Sequence, residues 1–500
     1  MNVFETIINF FSPTAALKRA LARQSLEVIA KSERAYDAGG YSRRTKNWYA
    51  PQTSATTENA QALRILRNRA RELVRNNCWA SKAVNVVANN VVGSGMRASF
   101  APKMDTTSGK KQAEKLKFAW QDWANSTDCD FDENLNLYGL QNLIMRTVVE
   151  CGECLILKYV EGDELAKNYR LKLRLLEGDF IDTSKHDGLL GAPNADYNFY
   201  GVRLSAAGKR LGVWIYDRHP ENGADTSKLY TMDKIIHVYE KMRIGQHRGV
   251  PMGVSAFIRM RDMNEYEDAQ LMRQKIAACF SLFVHNAGGA GVLAGKQQGQ
   301  PSELERVEPG IIQYLAPGED ISFATPPPIE GFAEYSRQVL RGIAGAYNIT
   351  YESLTSDYSQ VNFSSGKLSA IEQDKNTAKL QRDVLGVALE KIYLWWAEVV
   401  GIKEGVTKAG SIRVEWTTPK REMIDPVKET NALRLMQLAG MKSPQEVSRE
   451  MGYDYEDTLR EIQDANAMRD RLKIVVDTDA RQVLNKNAPI ETNNSASGAN

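Results

Sequence analysis

Reactive side chains gather at four places in this 500-residue sequence: a cysteine pair, a glycine-rich run, a scatter of histidines and a row of arginines. Cys151-Gly-Glu-Cys154 has the spacing of a redox pair or of half a zinc site. A redox pair places its first thiol at a helix N-terminus, where the thiolate is stabilised. Here a helical pattern ends and a strand pattern begins. A zinc site needs a second pair, yet Cys78 and Cys129 are single and no histidine is close in sequence. The pair therefore reads as two small buried residues at a helix–strand junction. Gly288–Gln297 (GGAGVLAGKQ) resembles a phosphate loop only superficially. Ala290 stands where the first glycine is required, Gln297 offers no hydroxyl to Mg²⁺, and the run follows a helical pattern instead of a strand. It reads as a flexible turn. His186, His219, His237, His247 and His285 form no i, i+3 or i, i+4 pair, so no helical metal site is expected. No G-x-S-x-G elbow or paired-carboxylate motif stands out. No catalytic, cofactor-binding or metal-binding residue is assigned, and an enzyme is not expected.

The arginines call for a different chemistry. Arg64, Arg67, Arg69, Arg71 and Arg75 share one stretch with only Glu72 nearby. Such a row suits phosphate or carboxylate contact. A solvated face, or intersubunit salt bridges to the acidic helices near 445–470, competes with it and is favoured. The segment Tyr347–Gly366 is polar, carries only Glu352 and Asp357 as acids, and shows no period. Loops that long in a compact chain are functional or disordered. A polar, weakly charged, flexible surface could touch phosphates without holding them; a lid over a small-molecule site is the alternative.

Hydrophobic spacing gives the elements that position these groups. Leu63, Leu66, Ala70, Leu73 and Val74 fall at helical spacing from about Thr57. Further helices are expected over Trp79–Val91, Lys111–Asn125 and Leu137–Gly152. From Cys154 the period becomes two, with strands near 154–160, 171–176, 198–203, 211–216 and 235–238. Val254–His285 has no Gly or Pro and reads as one helix about 48 Å long. A strand pair is expected at Ile311–Leu315 and Ile321–Phe323. Helices come next at Phe332–Ala346 and from Lys367 to about Val400, then a strand at Ile412–Trp416 and helices near 425–440, 444–451 and 455–470. The class is α+β and helix-rich.

Composition narrows the function. The apolar fraction is 43%, the charged fraction 25% and the formal net charge +2, which excludes collagen-like, mucin-like, largely disordered and strongly polycationic chains. Nucleic-acid contact must come from local clustering. Five cysteines, an odd number, argue against a secreted disulfide framework and for a reducing cytoplasm. No apolar stretch reaches the roughly 18 residues of a membrane span, and the N-terminus is a poor secretory signal.

The order of the pieces resembles the portal proteins of tailed bacteriophages, specifically the lambda-like family. The likeness rests on Ala35-Tyr36-Asp37 with Arg43-Arg44, Trp48 and Ala50-Pro51; on Arg69–Ala80 followed by Asn89–Gly95; on Ile236–Glu240 with Gly245–Pro251; and on Tyr347–Glu352 with Tyr358–Ser365. It spans roughly residues 30 to 475. The cysteine pair departs from the family pattern, which has an Asp or Glu beside Gly at the 151–153 turn. The resemblance implies a portal fold of wing, stem, clip and crown, assembling into a ring of about twelve subunits around an axial DNA channel. It implies an N-terminal arm at 1–57, partly disordered; wing at 58–250; stem helix at 251–285; clip at 286–328; second stem helix at 329–346; channel loop at 347–366; long helix and wing return at 367–424; crown at 425–476; and a disordered tail at 477–500. Tyr351, Ser356, Tyr358, Ser359, Gln360, Asn362, Ser364 and Ser365 would face DNA. Arg64, Arg67, Arg71 and Arg75 would contact DNA or a neighbouring subunit, and Lys296, Glu303, Glu305 and Arg306 would meet the terminase at the clip. The implied partners are further copies of the chain, double-stranded DNA held without sequence specificity, terminase, capsid and scaffold proteins, and head-completion and tail proteins. No cofactor and no membrane are implied. The implied location is the capsid portal vertex of the virion, with host cytoplasm during assembly.

Two other classes stay open on the residues alone: a cytoplasmic enzyme with a mobile lid at 347–366, and a nucleic-acid-binding module. Negative-stain microscopy separates them, since only a portal gives a wide ring with a central hole.

Overall fold

The computed structural model describes residues 21, 22, 24, 43, 46–102, 106–163, 168–187, 195–223, 226–278, 282–286, 319–323, 331–404, 412–419, 423, 425–474 and 476. The chain divides into two units, Met1–Ser54 and Ala55–Asn500. In the first, described positions include a few helical residues at 21, 22 and 24 and a stretch without regular secondary structure at 48–54.

The second unit begins with α1 (Ala55–Ala60), α2 (Leu63–Asn76) and α3 (Cys78–Val92). Helix α2 buries Leu63, Arg67, Ala70 and Leu73, the stripe that its spacing predicts plus one arginine. Asn77 ends α2 and caps α3 by accepting from the Ala80 N–H at 2.9 Å. Strand β1 (Arg97–Pro102), α4 (Thr107–Asn125) and α5 (Leu137–Cys151) come after it. Helix α5 stops at Gly152, whose φ is +90°. A Cβ there would lie 2.4 Å from the Val250 carbonyl carbon, so only glycine lets the chain turn straight into a strand.

That strand is β2 (Glu153–Asp163), the centre of a three-stranded antiparallel sheet with β3 (Asn168–Glu177) and β8 (Ile235–Tyr239). A four-stranded sheet lies between them in sequence: β4 (Tyr197–Phe199), β5 (Val202–Leu204), β6 (Arg210–Tyr216) and β7 (Ser227–Thr231). Alternation along β2 serves two cores. Cys154 and Ile156 join the main core with Leu171, Leu173, Ile236 and Val238. Leu155 and Leu157 join a smaller one with Val213, Ile215 and Ile235.

Helix α6 (Phe257–Ala278), strands β9 (Leu282–Asn286) and β10 (Glu319–Phe323), and helices α7 (Phe332–Ala346) and α8 (Tyr351–Thr355) come next. Helix α9 (Phe363–Leu380) continues through a π turn, Gln381–Leu385, into α10 (Gly386–Glu404). Strand β11 (Ile412–Thr417) returns to pair antiparallel with β1. Trp396 of α10 meets Trp120 of α4 edge-on at 5.1 Å, and Tyr393, Trp416 and Phe100 surround the same indole. This aromatic knot joins the return helix to the first half of the chain. Helices α11 (Pro426–Leu438), α12 (Pro444–Glu450) and α13 (Tyr455–Leu472) end the described chain, and none of them buries a side chain.

Two expectations need correction. The single helix over 254–285 is a 22-residue helix, about 33 Å long, ending at Ala278. The run Leu282-Phe-Val-His-Asn286 is aromatic and β-branched enough to pair as a strand with Glu319–Phe323. Ile311–Leu315, the partner expected for that second strand, lies outside the described residues. The irregular loop over 347–366 is also smaller than its composition suggests. Tyr347, Ile349 and Leu354 are buried, Tyr351–Thr355 is helical, and α9 has begun by Phe363. Among the described residues no helix is long and apolar enough to cross a membrane.

Candidate functional site

The exposed turn between α8 and α9 is built on a fixed base. Tyr347 closes α7 inside the core, and Thr350 caps α8 by accepting from the Ser353 N–H at 3.1 Å. Gln373 of α9 holds that cap from the other side. Its Oε1 accepts from the Thr350 N–H at 3.0 Å and from the Ser353 hydroxyl at 2.8 Å. Ser356 then takes a left-handed φ of +58° and releases the chain outward. The Ser359 N–H donates to Asp357 Oδ1 at 3.0 Å. The Ser359 side chain and backbone, with the charge of Arg337, hold the Asp357 carboxyl below its usual range. Asn362 and Ser365 form a reciprocal capping box at the start of α9, at 2.8 and 3.1 Å.

Ser356, Tyr358, Ser359, Gln360, Asn362, Ser364 and Ser365 are all exposed, Tyr358 by 64%. Tyr351 is not among them: it is half-buried beneath Arg341, whose guanidinium lies 5.7 Å from the ring centre. Phe363 is 54% exposed at the same edge and was missed; an aromatic inside an otherwise polar run is the signal that points to it. The surface thus offers hydroxyls, amides and two aromatic faces. It can accept and donate hydrogen bonds and stack, but carries little net charge.

The arginine row splits. Arg67 is buried and donates to Glu153 at 3.0 Å and to Asp179 at 3.2 Å. Arg71 pairs with Glu177 and Asp179. The expectation that Arg67 meets DNA or a neighbouring subunit is therefore corrected, since it is buried and taken up within the chain; Arg71, partly exposed, also pairs inside the chain with acids that sequence separation concealed. Arg64, Arg69 and Arg75 are exposed.

The acceptor at the centre, Glu153, is the residue inside the cysteine pair. Arg248 grips it with Nε at 3.1 and 3.0 Å and Nη2 at 2.5 Å, the Gly249 N–H donates at 2.9 Å, and His237 Nε2 lies 2.9 Å away. Burial opposes the charge on Glu153, but Arg248 and the hydrogen bonds from His237 and Arg248 hold its carboxyl far below the ordinary range. Burial lowers the His237 pKa, so the ring is neutral and donates from Nε2. The cluster pins α2, β2, β8 and the segment around Arg248 together. Cys151 and Cys154 are buried free thiols beside it. Burial pushes Cys151 up to about 12 and Cys154 higher still, which leaves them protonated and inert.

Lys296, Glu303, Glu305 and Arg306, and the glycine run 288–297, lie outside the described residues. Among the described residues no group of three His, Cys, Asp or Glu side chains is placed to hold a metal.

Known proteins resemble this chain over most of its length. A family model for phage portal protein, lambda family, matches residues 41–381. The portal protein of Escherichia phage N15 is 21% identical over 469 residues, covering 84% of this chain and 87% of that protein. Portal protein B of Escherichia phage lambda is 21% identical over 473 residues, covering 84% and 86%. A chain from the neck of a native gene transfer agent particle, solved with C12 symmetry, is 13% identical, covers 77% of this chain and 93% of that one, and has a TM-score of 0.44.

Proposed function

Since this chain belongs to the lambda family of phage portal proteins, we propose that copies of it close into a ring at one capsid vertex and form the channel through which DNA is packaged and ejected. In this reading the ring has about twelve subunits, is a docking site for terminase and for head-completion and tail proteins, and does not itself catalyse a reaction. Residues 254–278 and 332–346 are stem, 356–365 face the channel, and 426–472 are crown. The observation that carries the reading is the turn at Ser356–Ser365. It is exposed, rich in hydroxyls and amides, and anchored through Gln373 and the capping box. DNA that must slide is served by weak contacts to the phosphate backbone with no base readout.

The test is to replace 357–361 by a Gly-Ser stretch of equal length. This spares Leu354, which is buried, and Asn362, which caps α9. Capsids are expected to assemble at normal yield and to contain little or no DNA by nuclease protection. Full packaging and retention in the replaced variant would rule out the channel-facing assignment.

A further inference from the structure

Among the described residues, one face gathers positive charge at Arg210, Lys391 and His247, none of which is in an ion pair there. Arg210 opens β6, Tyr239 closes β8, His247 lies beyond β8 and Lys391 lies on α10. The Arg210 guanidinium lies 5.4 Å from the Tyr239 ring centre, and its Nη1 is buried with no hydrogen-bond partner. Burial and then the charge of Arg210 lower the pKa of Lys391. Burial, Arg210 and Lys241 do the same to His247. Glu240, beside them in sequence, is engaged by Lys379 at 2.6 Å. On α10, Val387 and Leu394 flank Lys391 at helical spacing and are 50% and 55% exposed. A desolvated cationic group with an unused donor and an apolar margin is complementary to a carboxylate that has apolar neighbours of its own.

The same chain carries the inverse face on α6. Glu267 and Asp268 are adjacent, and burial and Asp268 raise the Glu267 pKa. Gln270 Oε1 is buried with no donor. Leu271 and Met272 are half-exposed beside them. One face lacks an acceptor and the other lacks a donor, and each has two exposed apolar side chains.

We propose that the Arg210–Lys391 face of one subunit receives the Glu267–Asp268 face of a second copy, so that α6 of one lies against α10 of the next. Because the two faces differ, the contact is head-to-tail, the kind that repeats from subunit to subunit and closes into a ring. The proposal rests on the chain forming a ring.

The test is charge reversal and exchange in the full chain. Arg210→Glu with Lys391→Glu is expected to weaken self-association about tenfold or more by analytical ultracentrifugation, with an unchanged circular dichroism spectrum. Adding Glu267→Lys and Asp268→Lys is expected to restore it. If the reversed pair unfolds the chain, Arg210→Gln with Lys391→Gln is used, and a smaller loss of association is expected. Rings of wild-type stability in the reversed or neutral variant, or no recovery on exchange, overturn the proposal and leave the ring reading standing. So does a fall in affinity for a duplex DNA probe with ring stability unchanged, which would assign the cations to phosphate. A wild-type chain that stays monomeric overturns the ring reading and the proposal with it.

Discussion

Glu153 is the most heavily committed side chain among the described residues, accepting from Arg67, Arg248, His237 and the Gly249 N–H. Replacing it by alanine leaves the buried Arg248 guanidinium without a carboxylate and Arg67 with Asp179 alone. Glu153→Ala is expected to cost about 3–5 kcal/mol, seen as a lowered urea midpoint. The same cluster sets a pH dependence whose sign is fixed by the direction of each shift. His237 has a native pKa below its ordinary 6.5. The unfolded chain therefore takes up the proton first, and stability falls as pH drops below about 6.5. Glu153 and Asp179 have depressed values. Their contribution is present above the ordinary carboxylate range and is lost as pH falls through their native pKa values. His237→Gln keeps a donor to Glu153 and is expected to flatten the slope between pH 6.5 and 5, measured by urea unfolding across that range. A steep slope in the variant would show that other groups titrate there. None of this cluster was legible as a cluster. The sequence displays Arg67 as one of a periodic row, while its partners lie 86 and 112 residues away. The Cys-Gly-Glu-Cys run drew attention to its thiols, although the acid between them is the charged centre of the cluster.

Elements with a strong period were legible nearly to the residue. Phe332–Ala346 and the strand from Ile412 fell where spacing put them, and the helix expected from Lys367 begins four residues earlier because Asn362 and Ser365 cap it. Short elements escaped. Ile349 and Leu354 are too few to give a period, yet they are what fixes Tyr351–Thr355 to the core. The long-helix expectation failed for the opposite reason: absence of Gly and Pro permits a helix but does not require one, and the apolar run at 282–286 has a strand to pair with. Gly253, just before α6, supplies a sharp test at this scale. Its φ is +76°, and a Cβ there would lie 2.3 Å from the Tyr347 ring. Gly253→Ala combines backbone strain with overpacking and is expected to cost about 2–4 kcal/mol, read as a lowered thermal midpoint.

The molecule as a whole is uneven in how firmly it is held. The main core runs from α2 to β11, whereas α11, α12 and α13 contribute no buried side chain. Their described ties are polar: Asp454 with Ser99 at 2.6 Å, Arg460 with Glu114 at 2.8 Å, Arg449 with Glu415 at 2.5 Å and Lys117 with Asp457. Exposed pairs of this kind are each worth about 0–1 kcal/mol. A chain ending at residue 424 is therefore expected to keep its urea midpoint to within about 1 kcal/mol of unfolding free energy while self-associating less well. A collapse of the midpoint would mean that the C-terminal helices support the core. Val427, Leu435 and Leu438 are exposed on α11, and Met441 in the turn that follows it, so what this part of the chain lacks on its own is apolar cover.

The π turn at Gln381–Leu385 interrupts an otherwise continuous helix from Phe363 to Glu404. A π turn holds one residue more than the α-helix around it, and each residue of an α-helix advances the azimuth by about 100°. The compass bearing of Ser364 and Ser365 relative to Trp395 and Trp396 is thus set by a single surplus residue. Gln381 opens that turn, and its side-chain amide donates from Nε2 to the Val91 carbonyl at 2.8 Å. Deleting one residue here would heal the helix and swing everything before it by about a quarter turn. The turn at 356–362 would keep its own hydrogen bonds and point somewhere else. Where this surface aims is accordingly decided some twenty residues away, by a phase slip instead of by any side chain on the surface itself.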